Sequence, residues 1–287
     1  MDVVSVMAAV VLVGCAGPSH QSVVAGTTTS PSPAPPATTT TVAPSVTTTI
    51  TGSTTSGWPP GPATAAQPAP TTAARAKPGC APNLAGQLAS TGGGSQLITV
   101  VAGSIGATSA TVTLWQRSGG CWSQAAGPWT GRLGHGGLST HHREGDGTTP
   151  VGLYSTSSAF YGLAPDPGVH GTYHRLVCGD WWDSDPASPQ YNTFQHVACG
   201  ATPPFGGQSE ALWTNTVAYQ SLAVIEYNAA PVVAGAGSAI FLHDDAGGPT
   251  NGCVSLPSPD LNGMLRWLDP GQSPHIAIGT SGDIRQL

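Results

Sequence analysis

Residues 241–256 read FLHDDAGGPTNGCVSL. Two apolar runs, Phe241-Leu242 and Val254-Ser255-Leu256, flank a His, two Asp, a Gly-Gly-Pro turn and a lone Cys. Short apolar runs bounded by Gly and Pro read as buried strands. The segment is therefore predicted to be strand, turn and strand, with His243 ending the first and Cys253 opening the second. A turn of this kind brings the two ends side by side. From these neighbours alone, three uses of Cys253 are open: a nucleophile served by His243, a metal ligand or half of a disulfide. A Cys nucleophile needs thiolate character and so a basic partner. Gly252 permits close approach of a substrate to the backbone, and its amide together with that of Cys253 suits an oxyanion hole. The plainer reading is a strand-end His bonded to a neighbour and a Cys serving as a small buried hydrophobe.

Outward from this stretch the chain keeps the pattern of short strands. QLITVVAG (96–103) and SATVTLWQR (109–117) alternate or run apolar and are rich in Val, Ile and Thr, with SIGAT as the turn between them. SLAVIEYN (221–228) and SAIFLH (238–243) read as two further buried strands. One helix is predicted after residue 257. Ser258 is its N-cap candidate, Pro259 and Asp260 suit the first turn, and Leu261, Met264, Leu265 and Leu268 form a stripe before Pro270. With 39 Gly and 27 Pro, the composition favours a mainly β, loop-rich fold with one or two short helices. Charged residues are 8% and the formal net charge is −6, with no basic cluster, so a nucleic-acid partner is not expected.

The first residues, MDVVSVMAAVVLVGCAG, carry an apolar run from Val3 to Ala16. It is too short to span a bilayer and fits the core of a secretory signal. Small residues before Cys15 resemble the bacterial lipoprotein signal, in which the Cys is lipidated; Asp2 and the lack of Lys or Arg depart from that pattern. Residues 1–15 are thus expected to be a signal segment. Residues 16–79 are nearly all Thr, Pro, Ala, Ser and Gly, with too little apolar surface to offset the entropy of ordering, and are expected to be a disordered tether. The folded domain is predicted over 80–287, with 6 basic and 13 acidic residues.

A secreted destination makes disulfides an expectation. With Cys15 assigned to the signal, five of the six cysteines remain. Cys80 opens the domain, Cys121 follows the second strand, and Cys178 and Cys199 flank one long loop. The economical pairing is Cys80 with Cys121 and Cys178 with Cys199, which leaves Cys253 free; other connectivities are open on sequence alone. Zinc is the rival use of His243, Asp244, Asp245 and Cys253, and His170-Gly-Thr-Tyr-His174 has His-x-x-x-His spacing. Neither Cys-x-x-Cys nor His-Glu-x-x-His occurs, His141-His142 sits in a Gly-rich loop, and no metal is expected.

LHDDAGGPTNGCVSL resembles the signature of the L,D-transpeptidase (YkuD-like) catalytic domain, in which a His precedes, by a Gly-rich turn, a Ser/Thr-x-Gly-Cys segment. Thr250-Asn251-Gly252-Cys253 matches that segment. REGDGTTPVGLYS (143–155) resembles the family's Gly-Asp-x-x-Thr-Pro-x-Gly block, and SPQYNTF (188–194) resembles a third, in the family's order. The chain departs from many members at Asn251, where a His is usual, at Ser255, where an Arg is usual, at Asp244, and in a short His-to-Cys interval. The nucleophile and base are kept; the departures fall on substrate contacts.

The resemblance implies a β-sandwich catalytic domain with Cys253 and His243 catalytic, and Gly252, Asn251, Thr250 and Ser255 at the oxyanion or substrate. It implies peptidoglycan stem peptides as acyl donor and acceptor, no cofactor, and 3→3 cross-links made through a Cys thioester. The same thioester could pass to water, as in an L,D-carboxypeptidase, or to a protein amine; a non-catalytic wall-binding lipoprotein is the alternative from another class. The expected setting is the cell envelope, at the outer face of the cytoplasmic membrane or a periplasm-like space, as a monomer held by a lipid anchor or secreted.

Overall fold

A computed structural model describes residues 79–287 of the chain. The expected signal segment with Cys15, and the expected tether up to residue 78, lie outside the described residues.

Runs of Val, Ile and Thr build the centre of the fold. In β1 (Gln96–Ala102), Leu97, Ile98 and Val100 are fully buried, because this strand lies within the sheet and is covered on both faces. It pairs antiparallel with β2 (Ser109–Ser118), which turns into β3 (Cys121–Arg132) through Gly119-Gly120. Both glycines have positive φ, 58° and 83°, as a two-residue hairpin turn demands. Two short strands, β4 (Leu138–Ser139) and β5 (Thr149–Pro150), pair in parallel with each other, and β6 (Gly152–Gly162) and β7 (Thr172–Arg175) rejoin the main sheet. A separate three-stranded sheet is made by β8 (Asp180–Asp183), β9 (Thr193–His196) and β10 (Glu210–Ala211). The main sheet is completed by β11 (Leu222–Ile225), β12 (Phe241–Asp244), β13 (Val254–Leu256) and β14 (His275–Thr280).

The strand order is β11-β12-β13-β3-β2-β1-β14-β6-β7, and β6 also pairs with β11. The sheet therefore closes on itself, and its halves face one another across a shared core. The fold is mainly β and sandwich-like, as expected. The β12–β13 residues Leu242, Val254 and Leu256 share one buried cluster with Leu261, Met264, Leu265 and Leu268. The helix carrying most of that stripe, α1 (Ser258–Trp267), thus seals the β12–β13 edge of the core.

Three expectations are corrected in detail. Ser258 is the first helical residue and not the N-cap: Pro257, extended at ψ 139°, holds that position, and no side chain caps the helix. The strand expected over 238–243 starts only at Phe241, because Ala239 has φ 54° and breaks the extended run. The strand predicted to open at Cys253 begins one residue later, at Val254.

The disulfides are Cys80–Cys121 and Cys178–Cys199, and Cys253 is a buried free thiol. The first ties the start of the described chain to the β2–β3 hairpin; the second closes the loop that carries β8 and β9. Beside the second lies a feature that sequence reading missed. Asp180 is 0% exposed, and its two carboxylate oxygens accept from His174 Nε2 (2.8 Å) and His196 Nδ1 (2.7 Å), joining β7, β8 and β9. Neither His174 nor its partner in the His-x-x-x-His spacing is drawn to Cys253: His170 is exposed and His174 is engaged with Asp180.

Burial alone would raise the Asp180 carboxyl, but hydrogen bonds from His196, the Val177 amide and His174 outweigh it and hold the acid below its ordinary value. A depressed carboxyl contributes stability that is present above about pH 4 and is lost as pH falls through the folded-state value. Asp180→Asn should cost about 2 kcal/mol at pH 7, the scale of a hydrogen bond to a charged group. Urea unfolding at pH 7 and pH 3 should show a gap between variant and parent that narrows in acid; a gap independent of pH would remove the ionic role.

Candidate active site

The β12–β13 pairing is parallel, with Leu242 opposite Val254 and His243 opposite Ser255. Side chains alternate along a strand. Leu242, Val254 and Leu256 therefore face the core under α1, while Phe241, His243, Cys253 and Ser255 share the other face. On that side His243, Cys253 and Ser255 line a cavity of about 550 Å³ with Thr250, Asn251 and His142.

Cys253 is 7% exposed. Its Sγ accepts from the Phe241 amide (3.3 Å) and donates to the Ala239 carbonyl (3.2 Å). Burial, with the charge of Glu210 adding to it, pushes the thiol up to about 12, against a smaller opposing effect of the Phe241 amide. The resting group is a thiol and not the thiolate that a nucleophile reading anticipates. Ala239 is itself held in place: its amide donates to Asn192 Oδ1 (3.1 Å). Asn192 uses its whole side chain, accepting also from Trp182 Nε1 (3.0 Å) and donating to the carbonyls of Tyr227 and Asn228 (3.0 Å each). Asn192 belongs to the SPQYNTF block and fixes the residue whose carbonyl accepts the hydrogen bond of the thiol.

His243 is buried, and its Nδ1 lies 2.8 Å from the Asp244 carbonyl. A carbonyl only accepts, so Nδ1 carries the hydrogen and the neutral ring keeps Nε2 as an open base. Burial lowers the imidazole below its ordinary value, opposed by the Asp244 carbonyl and by the charges of Asp244 and Asp245. Neither adjacent carboxylate holds His243. Asp244 accepts from the Ser221 amide (2.8 Å), and Asp245 pairs with Arg132 (3.4 Å). The ring edge is instead set against Tyr219, T-shaped at 5.7 Å.

The remaining predicted residues gather at the same turn. Thr250 Oγ1 donates to the Cys253 carbonyl (2.7 Å) and receives the Gly252 amide (3.2 Å), a bond that amide must release to face an oxyanion. Gly252 has φ 134°, and a Cβ there would lie 2.9 Å from the Thr148 carbonyl. Asn251 is exposed at the cavity wall. Ser255 is 1% exposed and its hydroxyl has no hydrogen-bond partner among the described residues. In the GDGTTP block, Asp146 accepts from the Arg143 and Thr148 amides (2.8 Å each), shaping the loop that carries the buried His142. His142 lies 2.9 Å from Thr148 Oγ1 and 3.0 Å from Asp146, yet burial keeps it below the ordinary imidazole value.

Sequence reading missed three groups that line the cavity, Glu144, Glu210 and Tyr219, and the Tyr191 hydroxyl that holds the first of them. Tyr191 donates to Glu144, and Tyr219 donates to Glu210. Glu144 sits inside a block already singled out, so its place was legible; Glu210 and Tyr219 carry no local signal and reach the cavity through β10 and the segment before β11.

A buried thiol and a neutral imidazole, its tautomer set by a backbone carbonyl, thus share one polar cavity on a closed β-sheet. Residues 104–276 match the L,D-transpeptidase catalytic domain (YkuD) family, more than half of the chain, and the chain belongs to that family. It is an enzyme of the L,D-transpeptidase type, acting on the cell wall outside the cytoplasm. No curated protein and no solved structure matches the chain.

Two outcomes test this geometry. Iodoacetamide should alkylate Cys253 slowly at pH 7, with a rate that climbs roughly tenfold per pH unit because it follows the thiolate fraction. A plateau near neutrality would show that burial does not govern the thiol. Gly252→Ala should cost about 1–3 kcal/mol through strain at its positive φ and the close Thr148 carbonyl, read as a drop in melting temperature.

Proposed function

We propose that the chain forms 3→3 peptidoglycan cross-links through a thioester on Cys253. The observation that carries this reading is the pairing, in one cavity, of a free buried thiol with an imidazole whose Nε2 is unprotonated. Neither group needs to be charged at rest. The Sγ–H turns from the Ala239 carbonyl to His243 Nε2, and the proton moves as sulfur attacks the carbonyl of the third stem residue, an L-centred diamino acid. The imidazolium then protonates the departing D-Ala amine. The thioester passes to the side-chain amine of a second stem, which restores the thiol. In this reading the Cys253 amide, with Thr250 and Asn251 at the wall, receives the donor carbonyl, and no cofactor takes part. Lipidation at Cys15 and a tether up to residue 79 would let the domain reach polymer beyond the membrane surface.

Stem tetrapeptide incubated with the protein should yield a mass adduct on Cys253 and a cross-linked dimer. Trimmed tripeptide alone would identify a carboxypeptidase, and no adduct would leave a binding module. His243→Ala should slow adduct formation about 10²–10⁴-fold. Asn251→Ala should slow it less, since an amide cannot titrate, and Cys253→Ser should remove the thioester. Because burial lowers His243, the parent rate should hold through pH 7 and fall only below about pH 6.5 as the base is protonated. Cys15→Ala should move the protein from the membrane fraction to the soluble fraction with the adduct rate unchanged; unchanged partitioning would exclude the anchor.

A further inference from the structure

The cavity around Cys253 and His243 is lined by two carboxylates, Glu144 and Glu210, and by no Lys or Arg among the described residues. Each carboxylate is held through one oxygen by a tyrosine: Tyr191 donates to Oε2 of Glu144, joined there by Ser238 Oγ (2.7 Å), and Tyr219 donates to Oε2 of Glu210. Oε1 of each is left for another partner. The Ser255 hydroxyl, 1% exposed and unpartnered, lines the same cavity. The titratable groups facing this space are His135, His142, His243, Glu144, Glu210, Tyr219 and Cys253.

We propose that Glu210, with the Ser255 hydroxyl, forms the subsite that binds the incoming acceptor as an ammonium ion and so selects aminolysis of the thioester over hydrolysis. This rests on the acyl-enzyme reading above. In the first half-reaction a carboxylate near sulfur is a hindrance. The charge of Glu210 opposes ionisation of Cys253, and burial together with the charge of Glu144 holds Glu210 itself above the ordinary carboxyl value. A cation relieves both costs, and the acceptor amine is the cation that this reaction brings. The bound ammonium gives one proton to Glu210. The neutral amine attacks the thioester carbon, the C–N bond forms and the C–S bond breaks. The second proton passes through His243 to Sγ, restoring the thiol, and Glu210 returns its proton to solvent. Water carries no charge and forms no ion pair with the carboxylate, so the subsite enriches the amine over water beside the thioester.

The test uses the full chain loaded with stem tetrapeptide, and compares 1,5-diaminopentane, a cation at pH 7.5, with hydroxylamine, which is neutral there. Glu210→Gln should lower the aminolysis-to-hydrolysis ratio for diaminopentane about tenfold, the scale of one lost charge pair in a partly enclosed site, and leave that for hydroxylamine within about twofold. Equal losses for both nucleophiles, or none, would overturn the proposal in favour of a buttress for Tyr219. A second arm needs no turnover: diaminopentane should speed iodoacetamide alkylation of Cys253 in the parent, by relieving the charge of Glu210, and not in Glu210→Gln, while the variant alone should alkylate faster than the parent. Absence of any acyl-enzyme in the parent would defeat the cross-linking reading, whereas absence of any effect of the amine on alkylation would defeat this one. If thermal melting shows that Glu210→Gln does not fold, Glu144→Gln in the same two arms should lose amine selectivity by a smaller factor, and full retention would count against the subsite.

Discussion

The parallel pairing of β12 with β13 is the constraint on which the site depends. Its register sets His243 against Ser255 and so puts Cys253 diagonal to His243 on one face. A slip of either strand by one residue would send its reactive residue, His243 or Cys253, into the core and Leu242 or Val254 into the cavity. The register is held from behind, where Leu242, Val254 and Leu256 pack with the stripe of α1, and from the side, where Thr250 bonds the Cys253 carbonyl. Packing of the apolar face thus aligns the reactive face without any bond between the reactive groups themselves.

Burial governs the chemistry available there. The same desolvation that raises the Cys253 thiol lowers the His243 imidazole, so the resting pair is neutral on both sides. A neutral pair costs less to enclose than a thiolate–imidazolium pair. It also makes orientation, and not stored charge, the main preparation for attack. Two backbone carbonyls supply that orientation, Asp244 for the imidazole and Ala239 for the thiol. Asn192 in turn fixes Ala239, whose φ of 54° is the local strain that turns its carbonyl toward sulfur.

The sequence by itself determined a good deal. Alternation of Val, Ile and Thr marked the strands, and Gly-Pro punctuation marked the turn between His243 and Cys253. The odd number of cysteines left after Cys15 pointed to the free Cys253, and the two pairings found are the ones that flank a hairpin and a single loop. These features are local, or are set by counting, and survive without coordinates. Tertiary structure alone decided the groups around the pair. The carboxylates of Asp244 and Asp245 look from sequence like partners for His243, but strand alternation and the cap on Ser221 turn Asp244 away, and Arg132 draws off Asp245. Glu210 and Tyr219 come from a strand of the second sheet and from the approach to β11, and the Asp180 bridge gathers His174 and His196 across three strands. Contacts of this kind have no period and no motif. They exist because the sheet closes on itself and leaves each buried polar group to find the partner that the enclosure puts within reach.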